Sequence, residues 1–212
     1  MVVLRLVLIL SVLALPLTGQ SRFFITALGG VSTLSADAAT ELGPPNAVAL
    51  YSPDNGGAAN AAAGIHVNDW LSFQANYIWN KNRLTLVQVN DRTYFEQERS
   101  ARQHAGVVDI LLYFRHRRSW ARPYLSAGAG LVSIADALGS VRGGIEPPPK
   151  VAEVRALLRV AVGIDLMHSS GWGFRYSFSE SISGNPYSAI LKPRGPRNLA
   201  NFQNLFGFVR YF

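Results

Sequence analysis

The sequence contains no cysteine, and only 16% of its 212 residues are charged. The absence of cysteine excludes disulfide bonds, thiolate metal ligands, a cysteine nucleophile and the lipid-carrying cysteine of a lipoprotein. The charged fraction lies well below the roughly 25% of typical globular domains. The net charge is +7, but it is spread along the chain, and no block of Lys and Arg is interleaved with aromatic residues. We therefore expect no nucleic-acid partner.

Long apolar runs are also absent beyond the first segment of the chain. Near the N-terminus, Arg5 precedes an apolar run from Leu6 to Leu17, which is too short for an ordinary transmembrane helix. A basic start followed by such a run is the pattern of a secretory signal peptide. We expect residues 1–20 to be the signal peptide and residues 21–212 to form one exported domain. An uncleaved membrane anchor is the alternative.

The sequence also lacks acidic residues at the spacing of a metal-binding loop. The carboxylates of the long connections are scattered and never follow the D-x-D-x-D-G spacing of a calcium loop. We therefore expect no metal and no cofactor.

Alternation with period two dominates the chain after residue 21. In WLSFQANYIWN, residues 70–80, every second side chain from Leu71 to Trp79 is apolar or aromatic and the others are polar, with Ile78 as the exception. This alternation predicts a strand with one apolar and one polar face. Similar patterns occur in VVDILLYFR (107–115), RPYLSAGAGL (122–131), ALLRVAVGIDL (156–166), WGFRYSFS (172–179) and the final segment, 202–212; weaker ones occur at 23–34 and 61–67. Together they predict eight strands.

The connections between these strands alternate in length. Short ones are predicted around Asn68, at 116–121 and at 168–171, and long ones at about 35–58, 81–102, 135–151 and 184–200. Outer-membrane barrels have short periplasmic turns and long external loops. The predicted fold is therefore all-β, an eight-stranded antiparallel up-and-down transmembrane β-barrel. The even strand number places both termini in the periplasm.

In such a barrel the polar face of each strand must turn inward. This assignment predicts a lumen network formed by Asp109, Arg159, Asp165 and Arg175. Because eight strands leave an interior just wide enough for side chains, we expect a lumen packed with Arg/Asp pairs and small residues between them rather than an open pore. Aromatic residues at strand ends fit a girdle: Trp70, Trp120, Trp172 and Phe212 at the turn end, and Tyr77 and Trp79 at the loop end.

With these features the chain resembles the small bacterial outer-membrane β-barrel proteins, the OmpA-like transmembrane domain superfamily. The resemblance covers essentially the whole mature chain and is carried by the alternating strands, RPYLSAGAGL and the terminal FVRYF. It implies the cell outer membrane as location and says little about activity. In that class a C-terminal aromatic residue is read by the barrel-assembly machinery. Phe206, Phe208 and Phe212 match that signal, whereas Arg210 departs from it.

Some barrels of this superfamily are lipid A deacylases, which use a Ser and a His near the outer rim. The segment RYSFSESISGNP, 175–186, loosely resembles the H-x-S-N strand of those enzymes, but Ser177 and Glu180 stand at the His and Asn positions. His104 is the only histidine predicted at the outer end. By alternation it faces outward while Ser179 faces inward, so we expect no catalysis. His104, Ser179 and Glu180 remain the candidates if the protein is a lipid A hydrolase.

We expect a monomeric barrel with a structural, envelope or surface-interaction role. A narrow channel for small solutes is a further alternative. The expected partners are outer-membrane lipids, lipopolysaccharide and the assembly machinery. Lipopolysaccharide phosphates could pair with a basic excess predicted in the long connections: Lys81, Arg83, Arg92, Arg99, Arg102, Lys192, Arg194 and Arg197.

Overall fold

The structure is a computed structural model that describes residues 22–35, 38–42, 47–89, 94–144, 148–187, 190 and 198–212. The predicted signal peptide, residues 1–20, lies outside the described residues. Within them no helix is long and apolar enough to span a membrane. The strands are β1 (Phe23–Leu34), β2 (Ala38–Leu42), β3 (Ala47–Pro53), β4 (Gly56–His66), β5 (Leu71–Val89), β6 (Tyr94–Tyr113), β7 (Ala121–Gly143), β8 (Ala152–Met167), β9 (Trp172–Gly184) and β10 (Asn198–Tyr211).

Eight of these strands form one closed antiparallel ring. Their order around the ring is β1, β4, β5, β6, β7, β8, β9 and β10. The first and last strands close it, in register from Phe24 opposite Tyr211 to Leu34 opposite Asn201. Closure leaves no strand of the ring with an unpaired edge. The prediction of an eight-stranded up-and-down barrel is therefore confirmed.

The remaining two strands form a hairpin at the end of the barrel where the connections are long. β3 pairs with the far part of β5, from Pro53 opposite Leu84 to Val48 opposite Val89. β5, β6 and β7 have 19, 20 and 23 residues, so they continue beyond the ring as a projecting sheet. A bilayer crossing needs only about 9–11 residues per strand.

Three of the predicted long connections are wrong in their boundaries. The connection expected over 135–151 begins inside β7, which ends at Gly143. The connection expected over 81–102 is mostly strand, since β5 ends at Val89 and β6 begins at Tyr94. The connection expected over 35–58 contains the β2–β3 hairpin, and β4 begins at Gly56. Cross-strand backbone pairing continues through much of these segments.

The short connections are tight turns stabilised by local hydrogen bonds. The Asn68 side chain accepts from the backbone N–H groups of Trp70 and Leu71, both at 2.8 Å, which is an Asx-type turn. Gly171 has a φ of +81°, a conformation that favours glycine. His116 of the next turn lies 3.0 Å from Asp69. This hydrogen bond holds the pKa of the exposed Asp69 carboxyl below its usual value.

Alternation along each strand sorts the side chains between the two surfaces of the wall. On β8, Arg159 is 4% exposed and its neighbour Val160 is 54% exposed. The same holds on the other strands, where outward positions include Val108, Ile110, Leu125, Phe206 and Phe208. Large apolar side chains thus cover much of the outer surface of the wall, whereas ion pairs such as Arg175–Asp165 lie inside.

Because the chain has no cysteine, single thiols can test this sorting directly. We predict that Val160→Cys reacts with a hydrophobic maleimide in the folded protein, whereas Ala161→Cys, one residue further along β8, resists it. The outward site is open, and the Ala161 site is 7% exposed. Mass spectrometry after timed labelling measures both rates. Each variant should react fully after denaturation, and faster labelling at position 161 would contradict the assignment.

Candidate functional site

Near the short turns, an ion pair between Arg175 and Asp165 lies inside the barrel. The two residues are paired in register on β9 and β8. Nε and Nη2 of Arg175 lie 2.5 and 2.6 Å from the two carboxylate oxygens of Asp165. The hydroxyls of Tyr113 and Tyr211 donate to the same carboxylate at 3.1 and 2.5 Å. Bidentate contact with added hydrogen bonds is the arrangement that makes a buried ion pair tolerable.

A second guanidinium, that of Arg122, fills the lumen beside this pair. It donates to the Tyr211 hydroxyl at 2.7 Å and to the backbone carbonyl of Asp69 at 2.9 Å. Its carbon atom Cζ lies 3.7 Å from the centre of the Tyr113 ring, which is a cation–π contact. Arg122 is fully buried. Aromatic faces, a hydroxyl and a carbonyl therefore hold this cation.

His66 and Ser72 form a buried pair in the same layer. Nδ1 of His66 lies 2.6 Å from the Ser72 hydroxyl oxygen, and its ring stacks on Phe24 at 4.7 Å. A serine hydrogen-bonded to a histidine is the first element of a nucleophilic site. Here both residues are sealed, with 2% and 0% exposure, so a substrate could not reach them. The pair fills the lumen and links β4 to β5.

A second ion pair, between Asp109 of β6 and Arg159 of β8, lies further along the barrel and spans β7 on the inner surface of the wall. Asn76 also donates to the Asp109 carboxylate at 3.1 Å. Gly128 of β7 stands between the two in the sheet, opposite Asp109 on one side and Arg159 on the other. A Cβ at position 128 would overlap the Asp109 carboxylate. Gly128, the first glycine of SAGAGL, thus makes room for this pair.

Amide side chains continue the network toward the long connections. Gln203 donates to Asn80 at 2.8 Å, and Asn201 donates to Gln103 at 3.0 Å. Ser32 in turn donates to Asn201 at 2.7 Å. These bonds connect β1, β5, β6 and β10 across the interior. Some buried polar atoms of the lumen have no partner among the described residues, including Asp109 Oδ1 and Arg159 Nε.

An apolar cluster fills the barrel at the end with the long connections. Its buried members are Leu34, Ile78, Leu84, Leu86, Phe95, Ala101, Ala105, Val107, Val132, Ile134, Val151, Leu157, Tyr187 and Leu199. Val151 and Tyr187 lie outside the strands, so connecting segments fold into the barrel mouth. The expectation of a lumen made only of ion pairs and small residues is therefore wrong for this half of the interior.

Arg99 holds one of these connecting segments in place. Its guanidinium forms an ion pair with Asp136 at 2.7 Å and donates to the carbonyls of Pro148 and Pro149. Asp136 also accepts from the Val151 backbone N–H at 2.9 Å. Arg99 is buried, so its inclusion among the exposed basic residues of the loops is wrong. Its charge therefore holds a connecting segment at the mouth of the barrel.

The three candidate catalytic residues are not brought together. His104 lies on the outer surface of β6 and bonds the Tyr77 hydroxyl at 2.7 Å. Ser179 lies inside, 1% exposed, with its hydroxyl 3.3 Å from Gln203. Glu180 lies on the outer face of β9 in a shallow apolar groove with Val160. The barrel wall thus separates His104 from Ser179.

The C-terminal aromatic residues lie on the outside of the closing strand. Phe206 and Phe208 are 57% and 65% exposed, and the backbone of Phe212 donates to Phe23 at 3.0 Å. Arg210, which interrupts the aromatic pattern, donates to the Ser170 carbonyl at 2.6 Å. Its guanidinium also faces the Trp172 ring at 5.2 Å. A charge at this outward position is therefore satisfied by the adjacent turn.

The remaining basic residues fall into two groups. Lys81, Arg83 and Arg102 are exposed on the outer face of β5 and β6 rather than in loops. The other four that were predicted, Arg92, Lys192, Arg194 and Arg197, lie outside the described residues.

Comparisons with solved structures show the same fold. Neisserial surface protein A (NspA) matches with a TM-score of 0.55 at 16% identity, over 92% of this chain and 99% of that one. The outer membrane protein OprG from Pseudomonas aeruginosa matches with a TM-score of 0.56 at 12% identity, over 91% and 97%. No protein-family model and no curated protein matches the sequence. The chain thus shares the barrel fold of these proteins.

The ion pair at the short-turn end gives a stability prediction. Arg175→Met leaves Asp165 buried without its cation and should lower the free energy of unfolding by about 3–5 kcal/mol. Equilibrium urea titration of the folded barrel measures this change. Adding Asp165→Leu should recover most of the loss, because it removes the uncompensated charge.

Ser181→Ala is the matched control on the same face of β9, since the Ser181 hydroxyl has no partner among the described residues. It should change the free energy of unfolding by about 1 kcal/mol or less. An equal loss in Arg175→Met with and without Asp165→Leu would show that packing, rather than charge pairing, determines stability here.

Proposed function

We propose that the protein is an integral outer-membrane β-barrel with a lumen closed by side chains, that it acts in the cell envelope or in surface interactions, and that it has no catalytic activity. The observation that supports this proposal most directly is the distribution of polar and apolar side chains across the barrel wall, which is the reverse of that in a soluble protein. Ion pairs such as Arg175–Asp165 are inside, and large apolar residues such as Leu158 are outside. Only a hydrocarbon surrounding makes this distribution favourable.

The apolar outer surface would be a liability in water. Soluble monomers rarely expose contiguous apolar patches larger than a few hundred Å². Here outward apolar residues occur on all eight ring strands, and Trp70, Trp120 and Trp172 are 44%, 69% and 50% exposed near the short turns. Aromatic residues at one level of the wall are typical of a membrane interface.

We infer the orientation of the barrel in the membrane from the unequal lengths of its connections and from its resemblance to outer-membrane barrels. Short turns of such barrels face the periplasm, so we place both termini and the turn at Gly171 on that side. Phe206, Phe208 and Phe212 would then serve as the signal for the barrel-assembly machinery. One of the two proteins with similar fold is described as a surface protein and the other as an outer membrane protein, which supports a location in the outer membrane. We infer a monomer.

The filled interior supports a barrel that does not conduct. Arg122 and the Arg175–Asp165 pair occupy one end, and the apolar cluster around Leu86 and Ile134 occupies the other. Side chains of both groups project into the interior of the described barrel and would interrupt an aqueous path along its axis. The narrow-channel hypothesis therefore requires the ion pairs to separate.

The separation of His104 from Ser179 supports the absence of lipid A hydrolysis. A histidine activates a serine only within hydrogen-bond reach, and here the two lie on opposite faces of the wall. Ser179 is buried in the lumen, away from any lipid. This observation favours a binding or structural role over the hydrolase alternative.

Spectroscopy and gel migration test the membrane barrel. The purified protein in detergent should give a β-type circular dichroism spectrum, because every described membrane-crossing element is a strand. Its electrophoretic migration should change on boiling, since the closed barrel resists unfolding by detergent. A helical spectrum, or extraction from cells as a soluble protein, would contradict the proposal.

Conductance and lipid analysis test the closed, non-catalytic lumen. Planar bilayer recording of the inserted protein should show no steady channel, and lipid A from a strain that overproduces the protein should keep all of its acyl chains. A steady conductance would favour the channel. Release of fatty acid that stops in both His104→Ala and Ser179→Ala would favour the hydrolase.

A further inference from the structure

We propose that the outer face of β5 and β6 binds a phosphate group of lipid A in the outer leaflet through Lys81 and Arg102. The inference rests on the membrane placement proposed above and adds a specific lipid site to it. Lys81 and Arg102 stand directly opposite each other in the β5–β6 register. Both are exposed on the outer face.

The pairing of two cations needs an explanation. Directly opposite residues of an antiparallel pair have Cβ atoms about 5 Å apart, and like charges there destabilise the sheet. Within the described part of the chain, neither Lys81 nor Arg102 has an ion pair. Glu98 and Asp54 lie further along, where they share a cleft with Arg83. An anion bound between Lys81 and Arg102 would relieve their repulsion.

The height of this pair on the wall matches a lipid headgroup. Lys81 lies ten residues beyond Leu71, the start of β5 at the short turn. At about 3.3 Å per residue and a strand tilt of about 40°, this distance corresponds to roughly 25 Å along the barrel axis, the usual height of the apolar band. Trp79 and the hydrogen-bonded Tyr77–His104 pair lie just below, at the level of an interfacial aromatic girdle.

The surface beside these cations is flat, which suits acyl chains. On the neighbouring strand, Gly57, Ala59 and Ala61 stand opposite Lys81, Trp79 and Tyr77. A Cβ added at Gly57 would meet no atom within 4 Å. On the other side, β7 places Ala135 opposite Arg102 and Ser133 opposite His104. By contrast, the outer face of β9 and β10 is crowded with Phe174, Phe178, Phe202, Phe206 and Phe208.

The charge of the ligand distinguishes lipid A from phospholipids. A phosphate monoester carries about −1.5 to −2 charges near pH 7 and offers three acceptor oxygens. A phospholipid phosphodiester carries a single negative charge. Two cations at one level of the wall are therefore better matched by the phosphate monoester of lipid A.

Native mass spectrometry of the folded protein released from micelles tests the site. The probes are diphosphoryl lipid A, lipid A with its phosphates removed, and phosphatidylglycerol. The wild-type protein should retain one diphosphoryl lipid A, and Lys81→Gln with Arg102→Gln should weaken that binding by about tenfold or more. The matched control is Arg115→Gln with Arg118→Gln, two exposed arginines at the opposite end of β6, which should bind as the wild type does.

Each variant is first checked for heat-modifiable migration, so that failure of the barrel is distinguished from failure of the site. A folded double variant that retains lipid A as the wild type does would overturn the proposal. So would an equal loss in the control pair, which would indicate general charge attraction. Equally tight binding of phosphatidylglycerol or of dephosphorylated lipid A would also overturn it.

Discussion

Closure of the sheet between β1 and β10 is the constraint on which the rest of the structure depends. The eleven register positions from Phe24 opposite Tyr211 to Leu34 opposite Asn201 convert an open sheet into a ring. Once the ring is closed, every strand has an inside and an outside, and alternate residues must fall on opposite surfaces. Without this pairing, β1 and β10 would each present a free edge. A free edge is tolerated in water but not in hydrocarbon.

The interior then needs partners for each polar group that closure buries. Polar side chains inside the barrel find partners in successive layers along its axis. These are the bidentate Arg175–Asp165 pair with its tyrosine hydroxyls, the Asp109–Arg159 pair and a belt of amides. An apolar cluster fills the mouth. Buried ion pairs add little net stability, because desolvation offsets their attraction. Here they join neighbouring strands on the inner surface of the wall, β8 to β9 and β6 to β8 across β7. Arg99 likewise binds the connecting segment at Pro148 and Pro149 and holds it at the mouth of the barrel.

Much of the fold could be predicted from sequence because alternation is a local property. The outward side of Val160 and the inward side of Arg159 follow from parity alone once the polar face is turned inward. The ends of β5 and β6 were not predicted in this way, because the two strands extend beyond the ring and pair there with each other and with β3, and such pairing depends on the partner strands. Ile78 was an exception to the pattern, and the structure explains it as a member of the apolar cluster at the mouth.

The partners within the lumen depend on register and strand order, which connect residues far apart in the chain. Asp109 and Arg159 are 50 residues apart and meet across β7. Tyr113, Tyr211, Arg122 and His66 also lie on the inward parity of their strands, so parity could have placed them in the lumen. It could not have shown that Tyr211 reaches Asp165 or that His66 reaches Ser72. The burial of Arg99 likewise depends on the connecting segment that it binds.

Contact between lipid chains and the outer side chains is the most direct test of this account. Nuclear Overhauser effects can be measured between acyl-chain protons of a lipid nanodisc and methyl groups of the embedded protein. The account predicts cross-peaks to the methyls of Leu158 and Val162, and none to those of Leu157 and Val132. Acyl contacts at Leu157 and Val132, or water contacts along the outer methyls, would contradict it.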